Sequence, residues 1–253
     1  MKMITGVSYA PYPQTLLDIY LPQGDSFPVL VFFHGGGIET GSRADERNVF
    51  EELAANGVAV VSADYRMYPQ ASYPQFVEDA AACVHWTAQN IGRYGGCGDI
   101  YVAGSSAGAY LAMMLCLDGR WLGRHGMRST DLAGFIFDSA QPTTHFNVLR
   151  ERGMDTRRVI CDEAAPLYHV GELEELPPML VLVTDHDIPN RLEQTQLLVG
   201  TLRQFGQEEE RVQMLLLRGY EHTEHLHVVK DGANVFVSIV RGFMQRTGGT
   251  VAQ

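Results

Sequence analysis

The sequence is poor in basic residues, and it contains no long apolar segment. Lysine and arginine together number 19 against 30 aspartates and glutamates, which gives a formal net charge of −11. This balance argues against nucleic acid or an anionic membrane as the main partner. No apolar run approaches the ~20 residues of a membrane-spanning helix, and the first residues lack the ~7–15 apolar residues of a signal peptide. We therefore expect a cytoplasmic protein that binds neither nucleic acid nor membranes.

Cysteine is scarce, and its spacing matches no metal or redox motif. The four cysteines are Cys83, Cys97, Cys116 and Cys161, and they form no C-x-x-C pair. Cys83 and Cys116 lie in helical apolar patterns and have the character of small core residues. We expect a reduced protein without a metal or other cofactor, whose partner is a small-molecule substrate. Whether the chain forms a homodimer stays open.

Strand-like apolar runs alternate with helical segments along the chain. This order favours a mostly parallel central sheet with helices on both faces, so the predicted class is α/β in one domain, 1–253. An early run at 17–21 alternates as an antiparallel strand would. The other predicted strands cover 29–33, 58–63, 100–103, 135–138, 179–184 and 212–217. The predicted helices cover 47–56, 74–94, 107–117, 192–205 and 233–246.

The stretch 139–176 breaks this rhythm, because it is long, of mixed polarity and interrupted by Pro142 and Pro166. Long irregular insertions in α/β domains are usually lids or binding loops. The alternative is a surface excursion without a function. We expect the part at 141–168 to line the substrate mouth. The candidate substrate contacts are Phe146, Leu149, Leu167 and Tyr168 from this insert, together with Gly37 and Ser105.

A G-x-S-x-G motif follows the predicted strand at 100–103. It reads Gly104-Ser105-Ser106-Ala107-Gly108 and precedes a helical pattern. A serine in a tight strand-to-helix turn is strained, and its neighbours two positions away must be small. The Ser106 hydroxyl is then exposed above the sheet, so Ser106 is the candidate nucleophile. The alternative is an ordinary turn rich in glycine and serine.

Three glycines after another strand are candidates for binding an oxyanion. The segment His34-Gly35-Gly36-Gly37 directly follows the predicted strand at 29–33. Glycines allow main-chain N–H groups to converge on one point and let a ligand approach closely. We expect the N–H groups of Gly35, Gly36 and Ala107 to stabilise developing negative charge. The alternative is a flexible glycine-rich loop.

An acid and a base are expected after two later strands. Asp187 follows the strand at 179–184 and can orient an imidazole, with Asp185 as its local competitor. His222 follows the last strand, where a general base would reach Ser106. His225 and His227 are rivals for the role, and the three histidines could instead converge on a zinc ion. The chain order Ser106, Asp187, His222 is that of the α/β-hydrolase fold.

These motifs together resemble the α/β-hydrolase superfamily. Within it, the chain is similar to the esterase and lipase group related to hormone-sensitive lipase and to compact bacterial acetyl and feruloyl esterases. The resemblance covers most of the chain and includes the segment 63–69, Ala-Asp-Tyr-Arg-Met-Tyr-Pro, in which Asp64 and Arg66 are expected to be structural. It implies an α/β-hydrolase fold and a catalytic triad of Ser106, Asp187 and His222.

The chain departs from this group at three places. Ser105 stands where the group often has an acid, and Thr223-Glu224 replaces Gly-Phe after the histidine. The segment before the first predicted strands is short, so we expect this sequence to be without the cap helices of the hormone-sensitive-lipase group. The resemblance still implies a serine carboxylesterase for small or medium acyl esters, with acetyl, feruloyl and alkyl esters all open. Alternatives are an arylformamidase or amidase with the same triad, and a binding protein without hydrolytic activity.

Overall fold

The computed structural model describes residues 1–248, and an eight-stranded sheet lies at its centre. The strands of these residues are β1 (Lys2–Ser8), β2 (Leu16–Leu21), β3 (Phe27–Phe33), β4 (Ala59–Ala63), β5 (Gly96–Ser105), β6 (Gly134–Asp138), β7 (Met179–His186), β8 (Val212–Glu221), β9 (Val229–Lys230) and β10 (Ala233–Asn234).

Helices connect these strands along the chain. The α-helices of residues 1–248 are α1 (Arg47–Ala55), α2 (Gln75–Asn90), α3 (Ala107–Leu117), α4 (Gly119–Gly123), α5 (Phe146–Glu151), α6 (Arg191–Gln204) and α7 (Val235–Arg246). Short 3-10 helices cover Ile91–Tyr94, Ser129–Asp131, Pro166–His169 and Glu224–Leu226.

The sheet is mostly parallel and has the order β1-β2-β4-β3-β5-β6-β7-β8. Strand β2 pairs antiparallel with both β1 and β4, whereas every pairing from β4 to β8 is parallel. The predicted α/β class and the early antiparallel strand are therefore confirmed. Strands β9 and β10 form a separate antiparallel pair.

The side chains of β3 show how the core is divided. All seven residues of this strand are buried, as expected for a central strand covered on both faces. Val29, Val31 and Phe33 point into the larger apolar cluster, which includes α2 and α3. Leu30 and Phe32 point to the opposite face, where α1 and α7 pack. The period of two along the strand thus places helices on both sides of the sheet.

Strand β1 and helix α5 are among the elements absent from the sequence-based prediction. Strand β1 contains only exposed or half-buried residues, so it carries little of the apolar pattern that identifies a strand. Helix α5 has six residues, which is too short for a helical period to be visible. The predicted helix at 74–94 is α2 followed directly by the first 3-10 helix.

The parallel arrangement brings several strand ends to one edge of the sheet. Residue 34 follows β3, residue 106 follows β5, residue 187 follows β7 and residue 222 follows β8. The carboxyl ends of parallel strands form the edge at which open α/β sheets bind ligands. Within residues 1–248, every helix is too short or too polar to cross a membrane.

Candidate active site

Ser106 lies in a strained turn between β5 and α3. Its φ of 52° and ψ of −111° are unusual for a residue with a side chain. A Cβ atom on Gly104 would overlap the backbone of Gly108, and one on Gly108 would overlap the carbonyl group of Phe33. The turn is also attached to β6, because the N–H of Ser106 donates to the carbonyl oxygen of Asp138 at 2.8 Å. The two glycines are therefore required by the close approach of main chains.

His222 faces the hydroxyl of this serine. The ring atom Nε2 lies 2.9 Å from Ser106 Oγ, within hydrogen-bond distance. The other ring nitrogen, Nδ1, lies 2.6 Å from Asp187 Oδ1. Since an ionised carboxylate only accepts, Nδ1 donates to Asp187 and Nε2 is free to accept the serine proton.

Asp187 is held as a carboxylate behind the histidine. Its side chain is 2% exposed, and it also accepts hydrogen bonds from the N–H of Ile188 at 2.8 Å and from Thr184 Oγ1 at 3.2 Å. Burial acts to raise the pKa of Asp187, but the His222 ring and the hydrogen bonds outweigh it and hold the pKa below its ordinary value. The acid is therefore ionised beside the imidazole.

The structure places the competing residues elsewhere. Asp185, near the end of β7, accepts a hydrogen bond from the N–H of Gly219 in β8 at 2.7 Å. His225 is fully buried, with its Nε2 atom 2.9 Å from Asp138 Oδ1. The exposed His227 has its Nδ1 atom 3.6 Å from Glu46 Oε2. Each of the three histidines thus has a separate carboxylate neighbour, and they do not converge on a common point.

The glycine-rich loop after β3 lies against the serine turn. A Cβ atom on Gly35 would come within 3.5 Å of Ser106 Cβ. Gly36 and Gly37 have φ values of +96° and +66°, which disfavour any residue with a side chain. None of the turn and loop hydrogen bonds within residues 1–248 uses the N–H of Gly35, Gly36 or Ala107 as donor. These N–H groups therefore have unused donor capacity close to Ser106.

Buried contacts hold this loop in place from behind. The His34 ring stacks on Tyr65 with the ring centroids 4.5 Å apart, and the Tyr65 hydroxyl donates to the His34 carbonyl oxygen at 2.9 Å. Asp64 accepts a hydrogen bond from the N–H of Arg43 at 2.6 Å, and Arg66 pairs with Asp79. Asp64 and Arg66 are thus engaged in structural contacts.

A cavity of about 370 Å³ opens above Ser106. Three of the predicted substrate contacts, Gly37, Ser105 and Phe146, are among its lining residues. Other lining residues were not expected from the sequence: Asp45, Glu46, Ile188 and Thr223. They had no motif of their own, although Ile188 and Thr223 each follow a candidate triad residue directly, which is the signal that could have identified them.

The remaining predicted contacts lie away from this cavity. Leu149 is fully buried one turn after Phe146, and Leu167 packs against the main core cluster. Tyr168 is 53% exposed and touches the edge of His169. None of the three is among the cavity-lining residues. The insert therefore reaches the cavity through the first turn of α5.

Helix α5 is attached to the glycine-rich loop. Phe146 contacts Gly37, since a Cβ atom on Gly37 would lie 2.9 Å from the Phe146 ring. The Asn147 side-chain amide donates to the Gly37 carbonyl oxygen at 2.9 Å. One turn later, Arg150 forms an ion pair with Glu39. The insert thus supports the loop that carries the candidate oxyanion donors.

Buried charges surround the candidate triad. Burial raises the pKa of Glu46 at the cavity wall. Arg191 is almost fully buried, and burial lowers its pKa to about 10 although Asp187 and Asp138 act against this shift. Arg191 also donates to the carbonyl oxygen of Ser139. Negative charges at the strand ends are therefore balanced by a buried guanidinium.

Comparisons with known proteins agree with this fold and its motifs. The BD-FAE family model matches residues 17–124. A probable isoprenylcysteine alpha-carbonyl methylesterase from Oryza sativa subsp. japonica is 32% identical over 120 residues, covering 46% of this chain and 29% of that protein. Esterase LipC from Mycobacterium tuberculosis is 30% identical over 221 residues, covering 78% of this chain and 54% of that protein. The chain thus spans less than two thirds of these relatives.

A solved structure matches nearly the whole chain. Esterase 2 of Thermogutta terrifontis, phosphoramylated by tabun, superimposes with a TM-score of 0.81 at 22% identity and covers 99% of this chain and 96% of its own. At this identity the match shows the fold. The chain therefore has the α/β-hydrolase fold of known esterases, and its sequence is similar to the BD-FAE family over residues 17–124 and to Esterase LipC.

Proposed function

We propose that the protein is a serine carboxylesterase that hydrolyses small or medium acyl esters through an acyl-enzyme. The observation that carries the proposal is the hydrogen-bonded series from Ser106 Oγ through the His222 ring to Asp187, with distances of 2.9 and 2.6 Å. A nucleophile, a base and an orienting acid in contact are the arrangement that activates serine for acyl transfer.

The first half of the reaction forms the acyl-enzyme. Ser106 Oγ attacks the ester carbonyl carbon while its proton moves to His222 Nε2, and Asp187 stabilises the imidazolium that results. The carbonyl oxygen becomes an oxyanion that accepts hydrogen bonds from the N–H groups of Gly35, Gly36 and Ala107. Collapse of this intermediate breaks the bond to the alcohol, which leaves with the proton from His222.

The second half releases the acid. Water gives a proton to His222 Nε2 and attacks the acyl carbon, so a second oxyanion forms at the same donors. When it collapses, the bond to Ser106 breaks and the serine regains its proton from His222. The carboxylic acid leaves, and the starting state of the enzyme is restored.

The cavity indicates the size and polarity of the substrate. Its volume of about 370 Å³ is near the lower end of typical ligand sites, which suits a small or medium ester. Phe146 and Ile188 supply apolar surface, whereas Asp45 and Glu46 supply negative charge. No lysine or arginine is among the lining residues within 1–248. We therefore favour neutral or cationic esters over anionic ones, and the name of the rice relative, a methylesterase, supports methyl esters among them.

Hydrolysis of p-nitrophenyl acetate by the purified chain tests the proposal. The wild type should turn over this ester, and Ser106→Ala should lose about 10⁴-fold or more in kcat/KM. Ser238→Ala, which changes a serine in α7, is the matched control and should retain activity. N-formylkynurenine, assayed in parallel, distinguishes an esterase from a formamidase. Absence of ester turnover by the folded wild type would contradict the proposal.

A further inference from the structure

Asp138, the last residue of β6, contacts both the serine turn and the histidine turn. Its Oδ2 atom accepts a hydrogen bond from Ser105 Oγ at 2.8 Å. Its Oδ1 atom lies 2.9 Å from His225 Nε2. Its carbonyl oxygen accepts the N–H of Ser106. One residue thus connects the element that carries the nucleophile with the element that carries the base.

This second series of serine, aspartate and histidine is sealed from solvent. Asp138 and His225 are 0% exposed and Ser105 is 3% exposed. No substrate can reach Asp138 or His225, and the Ser105 hydroxyl donates to Asp138, so the series cannot repeat the chemistry of the candidate triad. A buried ion pair also contributes little net stability, because desolvation offsets the attraction, and its best-attested use is to specify geometry. The burial therefore indicates a role in alignment.

The turn that carries both His222 and His225 is closed by hydrogen bonds, so the positions of the two rings depend on each other. Thr223 has a φ of 59°, and its carbonyl oxygen accepts the N–H of Leu226 at 3.0 Å. Glu224 closes the turn by accepting the N–H of Glu221 at 2.9 Å. His225 lies three residues after His222, at the centre of this closed turn. A displacement of the buried ring would therefore displace the His222 ring as well.

The charges around His225 favour its protonated form. Burial acts to lower the pKa of His225, but Asp138, with smaller contributions from Asp187 and Glu46, raises the pKa above its ordinary value. Arg191 is the buried cation that faces Asp138 and Asp187 from α6. The rings of Tyr220 and Phe236 lie near the imidazole, each with its ring centroid 6.2 Å away. His225 and Asp138 therefore form a buried pair in which the carboxylate favours the charged imidazole.

We propose that His225 and Asp138 are positioning residues, which, together with Ser105, hold the His222 turn and the Ser106 turn at the separation needed for proton transfer. The inference rests on the proposed function, since it assumes that His222 is the base for Ser106. A misplacement of about 1 Å at reacting groups can cost about 10²-fold in rate. Loss of the pair is therefore expected to lower the rate of chemistry far more than the binding of substrate.

Covalent labelling with a fluorophosphonate distinguishes a variant whose catalytic residues are misaligned from one whose folded state is merely less stable. The variants are Asp138→Asn, which keeps the shape and removes the charge, and His225→Ala. Each should label to the same final extent as the wild type, with a rate constant about 10- to 100-fold lower. With p-nitrophenyl acetate, kcat should fall similarly while KM changes less than about threefold. His225→Gln, which retains a donor toward Asp138, should recover most of the rate.

Asp118→Asn is a matched control at the other end of α3. Asp118 is also fully buried beside a histidine, with His169 Nε2 3.5 Å from Asp118 Oδ2. This variant should lose stability but keep the wild-type labelling rate constant. If the labelled fraction of Asp138→Asn falls while its rate constant is unchanged, the pair is merely structural and the inference is wrong. If His225→Ala does not fold, Asp138→Asn decides the question. A wild type that neither labels nor hydrolyses esters contradicts the proposed function instead.

Discussion

His222 Nε2 lies 2.9 Å from Ser106 Oγ although the two residues are 116 positions apart in the chain. The contact exists because β5 and β8 end at the same edge of the sheet. His222 should therefore be the base. We expect His222→Ala to lose about 10⁴-fold or more in kcat/KM with an unchanged far-UV circular dichroism spectrum. His227→Ala, from the same turn, is the control, and a larger loss in that variant would mean that the base is misassigned.

Asp185, in the last residues of β7, and Asp187, just after the strand, have different partners. Asp187→Asn should reverse the tautomer that His222 adopts and lower kcat by about 10⁴-fold. Asp185→Asn weakens only the hydrogen bond from Gly219, so it should cost about 1 kcal/mol of stability and leave kcat near the wild-type value. Steady-state kinetics and urea unfolding of both variants check this division. Equal losses of kcat would contradict it.

Phe146 is the residue of the insert that lines the cavity, and it packs on Gly37. Its truncation should enlarge the site, so Phe146→Ala should increase kcat/KM for p-nitrophenyl hexanoate relative to the acetate by several-fold. The control is Tyr168→Ala, which removes an exposed aromatic ring of the same insert outside the cavity. It should leave the ratio unchanged. An unchanged ratio in Phe146→Ala would show that this ring does not limit the acyl group.

His145 should make stability depend on pH below neutrality. Burial, together with Arg191 and Arg150, lowers the pKa of His145 from its ordinary value of 6.5 to about 3. The unfolded chain therefore takes up a proton below about pH 6.5 that the native protein does not, so this contribution to stability is lost as the pH falls. The expected slope is about 1 kcal/mol per pH unit between pH 6 and 4.

Urea unfolding of the wild type and of His145→Asn at several pH values measures this contribution. Asparagine keeps an acceptor for the N–H of Asn147, to which His145 Nδ1 is bonded at 3.2 Å, but it does not titrate. The free energy of unfolding of the variant should fall less steeply as the pH decreases. Equal slopes would show that His145 is protonated in the native state.

The elements that could be predicted are those whose pattern is visible within a short stretch of the sequence. Strands such as β3 are uninterrupted apolar runs, and the turn at Ser106 needs glycines at 104 and 108 because main chains meet there. Strand β1 was missed because its stability comes from pairing with β2 rather than from an apolar pattern. The lining residues Asp45 and Glu46 were missed for a similar reason, since tertiary folding alone brings them to the cavity.

The roles of the three histidines in the last turn could not be assigned from the sequence alone. Residues 222, 225 and 227 have the same chemistry and similar neighbours in the sequence. The structure separates them by partner, because His222 faces Ser106, His225 is buried against Asp138 and His227 is exposed. Likewise, Leu149 was predicted to contact the substrate, but it is fully buried. Phe146, one turn earlier, is the residue that packs on Gly37.

Peptide mass spectrometry of the chain after treatment with a fluorophosphonate identifies the nucleophile directly. We predict one adduct, on Ser106, which forms rapidly in the wild type and is lost in Ser106→Ala. Organophosphorus modification of the Thermogutta terrifontis esterase, whose fold this chain shares, supports the choice of reagent. An unlabelled wild type, or an adduct on another residue that persists in Ser106→Ala, would show that Ser106 is not the nucleophile.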